Sequence, residues 1–323
     1  MPGAVRWLFI GLLSSLVSCT STPVHEPDVV LSNAHGGGTE LAFNQAGSLL
    51  ASGGWSGYLR LWQLPGGAAV RSWRAHPAEI TGIVFFDHGR RILTTGRDGS
   101  LATWDEQGKE LYRRLSDSPV TSMALDEATD TVVTGHHDGS VRLWRLTDLV
   151  AVENFSIHAD SVRAVASHAA GEWFASSDSD AQVYLWRRDG SYQVLQPPAT
   201  DVRTLAFTPD GDWLYGAGWF RLLRWKVPGG EREVLKTDHF GIINSIWFTA
   251  DGSTLASISR QTDSAVLFLN PASGATVKRL QRHDLCGAAV RVSDDGRFVA
   301  TTADDGSVRI WDWQQAGVGS IPR

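Results

Sequence analysis

The sequence predicts an all-β fold assembled from seven similar units, and two observations support this prediction. A tryptophan returns at intervals of 39 to 44 residues, with a leucine in its place once, at Trp62, Trp104, Trp144, Trp186, Trp225, Leu269 and Trp311. Several units also end with an Asp-Gly pair between two apolar runs, as in residues 94–105, 134–145 and 301–312. A period of this size is typical of stacked supersecondary units, and Asp-Gly in this setting is a strong hairpin signal.

Each unit contains two such strand pairs. Upstream of the tryptophan hairpin lies a second pair joined by its own turn, as in residues 205–216 and 246–257. Further upstream, five units carry a histidine at a comparable place: His35, His76, His158, His239 and His283. The sequence therefore predicts four strands per unit.

With these positions in register, residues 29–313 resemble a seven-bladed β-propeller of the WD40 type. The resemblance implies a buried hydrogen-bond network in each blade that joins the histidine, a strand hydroxyl, the turn aspartate and the tryptophan indole. Because buried imidazole and indole N–H groups need partners, we assign this network to structure rather than to catalysis. Three units contain all four residue types: His76, Thr94, Asp98 and Trp104; His158, Ser176, Asp180 and Trp186; His283, Thr301, Asp305 and Trp311.

Some units depart from the pattern. Ser56 replaces the turn aspartate in unit 1, and Ser116 and Pro198 stand where units 3 and 5 should carry histidine. Unit 5 also lacks the turn aspartate, since residues 218–225 read GWFRLLRW, and unit 6 has about two extra residues at Arg260–Thr262. Neighbouring blades can supply the missing packing, so the prediction of seven blades stands.

The two chain ends are predicted to close the ring together. The last unit ends at residues 311–313 with only three strands, and the Gly-containing tail 314–323 is a poor strand. The short β-branched run Val29–Leu31 precedes the first unit and belongs to none. Because open sheet edges invite aggregation, we expect this run to form the outer strand of blade 7.

Residues 1–18 have the features of a signal peptide, with one charge at Arg6 and an apolar stretch too short to span a bilayer. The sequence Leu16-Val17-Ser18-Cys19 resembles a bacterial lipobox, which implies cleavage before Cys19 and a lipid on its sulfur. The residue after Cys19 is Thr20 and not Asp, and by the usual sorting pattern of such lipoproteins this implies that the protein lies at the outer membrane, facing the periplasm. Residues 19–28 are then the lipidated cysteine and a short tether. An ordinary secretory signal with a chance cysteine is the alternative.

Composition limits the partners. The net charge of −6 argues against nucleic acid, which requires a basic surface. Cys286 is the only other cysteine, so an intramolecular disulfide is excluded if Cys19 is lipidated. We expect a monomer outside complexes, with contact to the membrane through the lipid anchor.

No catalytic, metal or cofactor site is expected. The HGGG run at residues 35–38 resembles an oxyanion-hole motif, but the sequence has no G-x-S-x-G elbow. His136 and His137 precede Asp138, yet adjacent strand residues point to opposite faces, so a surface turn is favoured over a metal site. The first strands carry small apolar residues such as Ile83 and Val165, which argues against chemistry in the central channel.

A partner-binding surface is expected on the face formed by the turns between the second and third strands. Its candidate residues are Trp55, Arg97, Trp219, Phe220, Phe240 and Ile242. Exposed aromatic clusters are enriched in binding hot spots. The alternative is that these aromatics fold inward and replace missing network contacts; the sequence favours neither.

The predicted function is a membrane-anchored scaffold of the bacterial cell envelope that binds protein or peptide partners. The rival hypothesis is an envelope enzyme or small-ligand-binding propeller that uses the central channel.

Overall fold

In the computed structural model, residues 23–168, 171–195 and 200–313 are described, and they form seven β-sheets arranged as a ring. The predicted signal peptide, Cys19, Pro198 and the tail 314–323 lie outside these residues. Within the described ranges, no helix has the length and apolar character needed to cross a membrane.

The chain begins with two short strands, β1 (Val24–His25) and β2 (Val29–Leu31), that belong to the last two blades. Blade 1 contains β3 (Gly38–Phe43), β4 (Leu49–Gly54), β5 (Tyr58–Gln63) and β6 (Ala68–Arg74). Blade 2 contains β7 (Ile80–Phe86), β8 (Arg91–Gly96), β9 (Ser100–Asp105) and β10 (Glu110–Leu115). Blade 3 contains β11 (Val120–Asp126), β12 (Thr131–His136), β13 (Ser140–Arg145) and β14 (Ala151–Ser156).

The remaining blades repeat this order. Blade 4 contains β15 (Val162–Ser167), β16 (Phe174–Asp178), β17 (Val183–Trp186) and β18 (Tyr192–Val194). Blade 5 contains β19 (Val202–Phe207), β20 (Trp213–Gly218), β21 (Arg221–Lys226) and β22 (Arg232–Lys236). Blade 6 contains β23 (Ile242–Phe248), β24 (Leu255–Arg260), β25 (Val266–Leu269) and β26 (Thr276–Leu280). Blade 7 contains β27 (Gly287–Val292), β28 (Phe298–Ala303) and β29 (Val308–Asp312).

Burial explains why the inner strands are nearly continuous apolar or small-residue runs. In β12 all six residues are buried, whereas the outer strand β6 is exposed at six of its seven residues. A middle strand is covered by a neighbouring blade on each face, so it cannot show the one-sided alternation of a sheet with a wet face.

The hydrophobic core is divided into seven layers, each between two consecutive blades. The repeated tryptophan or leucine of each blade lies in the layer shared with the preceding blade. Trp104, for example, packs with Leu59 and Leu61 of blade 1, and Leu269 packs with Leu222 of blade 5. The other repeated residues also pack against the preceding blade: Trp62, Trp144, Trp186, Trp225 and Trp311.

The ring has two distinct faces. The turns between second and third strands and the loops that lead into each first strand lie together on one of them, named the upper face. Backbone hydrogen bonds join the two sets, as from Trp55 N to Gly37 O (3.0 Å) and from Arg97 N to Glu79 O (2.9 Å). First strands of consecutive blades contact one another around the ring, and β27 contacts β3.

The predicted closure by the N-terminal segment is confirmed. Strand β2 pairs antiparallel with β29, with Val29 opposite Ile310 and Leu31 opposite Val308. The side chains of Val29 and Leu31 also pack against the layer between blades 7 and 1. Residues from both ends of the described chain therefore form one blade.

The structure changes the predicted extent of the tether. Residues 24–25, expected to be part of it, form β1 and pair in parallel with Arg279 and Leu280 of β26. The carbonyl oxygen of His25 accepts two hydrogen bonds, from Gln281 N at 2.8 Å and from Trp311 Nε1 at 3.1 Å. One short strand thereby pairs with the outer edge of blade 6 and provides a hydrogen-bond acceptor for the indole of blade 7. The segment thus joins two blades, which the strand-closure prediction did not include.

The first prediction concerns this closure. A chain that starts at Ser32 lacks β1 and β2 and should have a melting temperature roughly 5–10 °C below that of a chain starting at Pro23, since a few kcal/mol of packing and pairing are lost. Differential scanning calorimetry measures the shift. The chain starting at Pro23 is the matched control, because it retains both strands. Equal melting temperatures would show that the ring closes without them.

Candidate functional site

The blade 2 network has the geometry that the repeat pattern implies. Thr94 Oγ1 lies 2.8 Å from His76 Nε2 and accepts a hydrogen bond of 2.9 Å from Trp104 Nε1. Asp98 lies 3.0 Å from the other ring nitrogen of His76. The hydroxyl of Thr94 is completely buried. It is already engaged on both sides, so it is a structural junction and not an exposed nucleophile.

Blade 7 differs from the expected network at its tryptophan. His283 Nε2 lies 2.7 Å from Thr301 Oγ1, and its Nδ1 lies 3.0 Å from Asp305. The indole of Trp311, however, donates to the carbonyl of His25 rather than to Thr301. The prediction for Trp311 is wrong because β1 brings a backbone acceptor from the far end of the chain.

Blade 4 differs from the expected network at its aspartate. His158 lies 2.7 Å from Ser176 Oγ and 2.8 Å from Asp178, and Asp180 is exposed. Trp186 Nε1 has no hydrogen-bond partner in the described part of the chain. The assignments of Asp180 and Trp186 to the network are therefore wrong. The carboxylate comes instead from the end of β16, two residues earlier, where it is buried beside the imidazole.

In blade 3, a histidine at the end of the second strand takes the place of the missing loop histidine. His136 Nε2 lies 2.7 Å from Thr134 Oγ1, and its Nδ1 lies 3.3 Å from Ser116 Oγ, the residue that stands at the usual histidine position. Trp144 Nε1 donates to Thr134 at 2.8 Å. The expectation of a surface turn is wrong for His136, which is fully buried at the end of β12, whereas His137 is exposed.

Blades 1 and 6 have partial networks. Ser52 Oγ lies 2.8 Å from both His35 Nε2 and Trp62 Nε1. His35 Nδ1 has no partner within the described ranges, which agrees with the loss of the turn aspartate at Ser56. In blade 6, His239 lies 2.8 Å from Ser257 Oγ, and Asp263 lies 3.4 Å from its Nδ1.

The candidate binding aromatics of blades 5 and 6 are exposed. Trp219 is 39% exposed, Phe220 49% and Phe240 72%, and the rings of Trp219 and Phe220 lie 5.5 Å apart. These three residues are named the aromatic patch. They do not fold inward to replace network contacts. Ile242, in contrast, is only 3% exposed. Its assignment to the surface is wrong, because it lies at the start of β23 and packs inward.

Backbone contacts hold the aromatic patch in place. Phe220 N donates to Gly241 O at 3.1 Å, and Trp219 forms a β-bridge with Ile242. Phe220 has a φ of +57°, a conformation that bulky residues rarely adopt unless their surroundings impose it. These contacts tie the loops of blades 5 and 6 together, so the rings project from a fixed support.

The extra residues of blade 6 support Phe240. Its backbone N donates to Asp263 Oδ2 at 2.9 Å, and its carbonyl accepts a hydrogen bond from the Thr262 hydroxyl. The Ser259 hydroxyl also donates to Asp263. Burial opposes ionisation of Asp263, but the nearby His239 and the hydrogen bonds from Ser259 and Phe240 N outweigh it and lower the pKa of the carboxyl to about 2. The enlarged turn thus positions an exposed aromatic side chain.

Trp55 and Arg97 lie apart from the aromatic patch, on blades 1 and 2 at the mouth of the channel. Trp55 is 50% exposed, and its ring covers Gly37 so closely that a Cβ there would lie 2.6 Å from it. This contact accounts for one glycine of the HGGG run. Arg97 forms an ion pair of 2.7 Å with Glu79.

The central channel forms a cavity of about 810 Å³. Its lining includes Arg163, Arg203 and Arg291, so the expectation that the first strands present only small apolar residues is wrong. Arg291 forms an ion pair of 2.7 Å with Glu40, across the junction between blades 7 and 1. Its guanidinium also lies over the ring of Trp247, 4.7 Å from the ring centroid. Within the described residues, no group of three or more His, Cys, Asp or Glu side chains could hold a metal ion.

Seven blades, their inter-blade layers and the His–hydroxyl–Trp junctions define a repeat propeller. The chain belongs to the WD40 family. Five stretches match the family described as "WD domain, G-beta repeat", and together they cover more than half of the chain: residues 28–63, 67–105, 109–145, 150–187 and 274–312. The matched stretches omit residues 188–273, which include all of blade 5 and the first three strands of blade 6. The aromatic patch lies in this omitted part.

Several curated proteins are similar over most of this chain. Telomerase protein component 1 of Mus musculus is 24% identical over 341 residues, covering 87% of this chain and 13% of that protein. Periodic tryptophan protein 2 of Arabidopsis thaliana is 22% identical, covering 85% of this chain and 31% of that protein. Apoptotic protease-activating factor 1 of Rattus norvegicus is 21% identical, covering 78% and 23%. The chain spans about an eighth to a third of these relatives, so the likeness concerns only part of each of them. Proteins of this family commonly serve as protein-binding scaffolds.

The second prediction concerns pH. Burial, with the positive charge of Arg60 nearby, lowers the pKa of His35 to about 4; burial and Arg142 do the same for His136. The unfolded chain binds a proton at these sites below about pH 6.5, and the folded chain only near pH 4. Stability should therefore fall as the pH drops from 6.5 towards 4, by up to about 3 kcal/mol for each histidine.

Urea unfolding at pH 7.5, 5.5 and 4.5 measures this effect. His136→Gln should reduce the loss of stability between pH 7.5 and 4.5, and His137→Gln, which changes the exposed neighbour, is the control. A stability that is constant over this range would contradict the prediction.

Proposed function

We propose that this chain is a protein-binding scaffold whose main contact surface is the aromatic patch on the upper face. The observation that carries the proposal is the exposure of three large aromatic side chains on a backbone held by interloop hydrogen bonds. Burial of such rings in an interface contributes strongly to affinity, and a preformed support reduces the entropy lost on binding. The family match supports the class of function.

The position of the aromatic patch supports the same proposal. It occupies the blades that depart most from the repeat, and the departures themselves build it: the GWFR turn supplies Trp219 and Phe220, and the longer turn of blade 6 holds Phe240. Neither change is needed to close the ring, since both blades keep four strands in the standard order. Binding of a partner would explain the altered turns of blades 5 and 6, whereas packing within the ring does not require them.

We further propose that the scaffold is a lipoprotein of the bacterial cell envelope, anchored through Cys19 and most simply placed at the outer membrane facing the periplasm. The support is the sequence before Cys19. Between this residue and β1 only four residues remain, which span roughly 17 Å at most. Strand β1 runs parallel to β26, which leads to the upper face, so β1 begins on the side of the ring opposite the aromatic patch. An anchor on that side would leave the aromatic patch free of the membrane.

The channel provides a second candidate function. The small-ligand hypothesis requires charged residues in the channel, which the sequence did not predict. The arginines of the lining and the volume of the cavity meet this requirement. Mass spectrometry of the purified protein under non-denaturing conditions tests this candidate, since a retained small molecule adds a defined mass. No catalytic role is proposed.

The third prediction tests the aromatic patch. A photoreactive phenylalanine analogue at position 220 or 240 should form one discrete crosslinked adduct in intact cells, and this adduct should be lost when Trp219 is replaced by alanine. The same analogue at Tyr112 or Tyr192, exposed aromatics on outer strands, is the control. Thermal stability should change by less than about 0.5 kcal/mol for Trp219→Ala, as for most surface substitutions. Equal adducts at all four positions, or none, would contradict the proposal.

The fourth prediction tests the anchor. Cells grown with radiolabelled palmitate should label the wild-type chain, and Cys19→Ala should abolish labelling and release the protein from membranes, because several acyl chains are needed for stable attachment. Cys286→Ala is the matched control and should keep both properties. A labelled, membrane-bound Cys19→Ala protein would show that another site carries the anchor.

A further inference from the structure

A β-bulge recurs near the upper end of every first strand. In blade 4 the register skips Arg163 between Val162 and Ala164, and in blade 5 it skips Arg203 between Val202 and Thr204. A bulge leaves one residue unpaired and re-aims its side chain. The skipped residues all line the central cavity: Thr39 and Glu40 in blade 1, then Thr81, Thr121, Arg163, Arg203, Asn244 and Ala288 in the following blades.

The positive charge of this ring of bulge residues is concentrated on one side. Five of its members are uncharged, Glu40 is paired with Arg291, and both arginines lie on the adjacent blades 4 and 5. Arg203 forms an ion pair of 3.0 Å with Asp201. Arg163 is exposed to the channel and has no ion pair or hydrogen bond to any described residue. The mouth therefore holds one guanidinium that is not neutralised, in a chain whose net charge is −6.

Other charged residues that line the upper end of the cavity form ion pairs. Arg97 pairs with Glu79 at 2.7 Å, and Arg260 pairs with Asp304 at 2.8 Å. A concave site with low-dielectric walls focuses the field of a remaining charge. A single excess cation matches a carboxylate better than a phosphate, which carries more charge. Nucleic acid would require a continuous basic surface.

This site is continuous with the aromatic patch. Val202, next to Arg203, pairs with Gly218, and Trp219 follows directly. Trp219 N also donates a hydrogen bond of 3.1 Å to the hydroxyl oxygen of Thr200. A segment lying across blades 6 and 5 towards the channel would thus meet aromatic rings first and guanidinium groups next.

We propose, building on the protein-binding function above, that the partner presents an extended segment with an apolar or aromatic residue followed by an acidic one. The apolar side chain covers the aromatic patch. The carboxylate enters the channel mouth and accepts hydrogen bonds from Arg163 and Arg203, a charge-assisted arrangement that also fixes its direction. The two arginines are specificity-determining residues, and the aromatic patch is the source of most of the affinity.

The experiment is a selection of random twelve-residue peptides, displayed on phage, against the full folded chain. The expected result is enrichment of peptides that place Asp or Glu shortly after an aromatic or aliphatic residue. An enriched peptide, synthesised and labelled, should bind the Arg163→Ala/Arg203→Ala variant about tenfold more weakly in fluorescence anisotropy, the effect of losing hydrogen bonds to a charged group. Arg71→Ala/Arg114→Ala removes two exposed charges from outer strands and should bind like wild type.

The outcomes separate this inference from the function on which it rests. Enriched peptides without acidic residues, or acidic peptides whose affinity is the same for both double variants, would overturn the role of the arginines and leave peptide binding intact. No enrichment at all would overturn both. Binding that weakens when NaCl rises from 50 to 500 mM, together with the loss in the Arg163/Arg203 variant alone, supports the proposal.

Discussion

The fold depends on the apolar layer between consecutive blades. No blade can bury both faces of its middle strands alone, so each relies on the next, and the seventh must meet the first. The repeated tryptophan lies in this layer and in most blades also donates to a polar atom, which fixes its position. Leu269 shows that the apolar volume is the essential part, because blade 6 keeps its place without an indole.

Ring closure concentrates several interactions at one junction. Outside, β2 completes blade 7 and β1 extends blade 6; Trp311 donates to a carbonyl of β1. Inside, Arg291 pairs with Glu40 across the same junction. Sequence-distant contacts of this kind make the ring cooperative, since the loss of one blade would expose two apolar layers. They also allow other blades to lose network members without loss of the fold.

The polar networks vary because each needs only a buried acceptor and not a particular residue. His136 in blade 3 and Asp178 in blade 4 come from unexpected positions yet occupy equivalent roles. Blades 5 and 6 also display aromatic side chains on their altered turns. The regular blades stabilise the ring, and the irregular pair carries the proposed contact surface.

The sequence alone determined the number of blades, the strand that completes the last one, and the two blades where the repeat is broken, because strand periodicity and turn residues are local. Only the tertiary structure decided that Ile242 is buried, that His25 accepts from Trp311, and that bulges direct Arg163 and Arg203 into the channel. These outcomes depend on contacts between atoms of different blades and on one-residue shifts in strand register. The spacing of residues along the chain specifies neither the contacts nor the shifts.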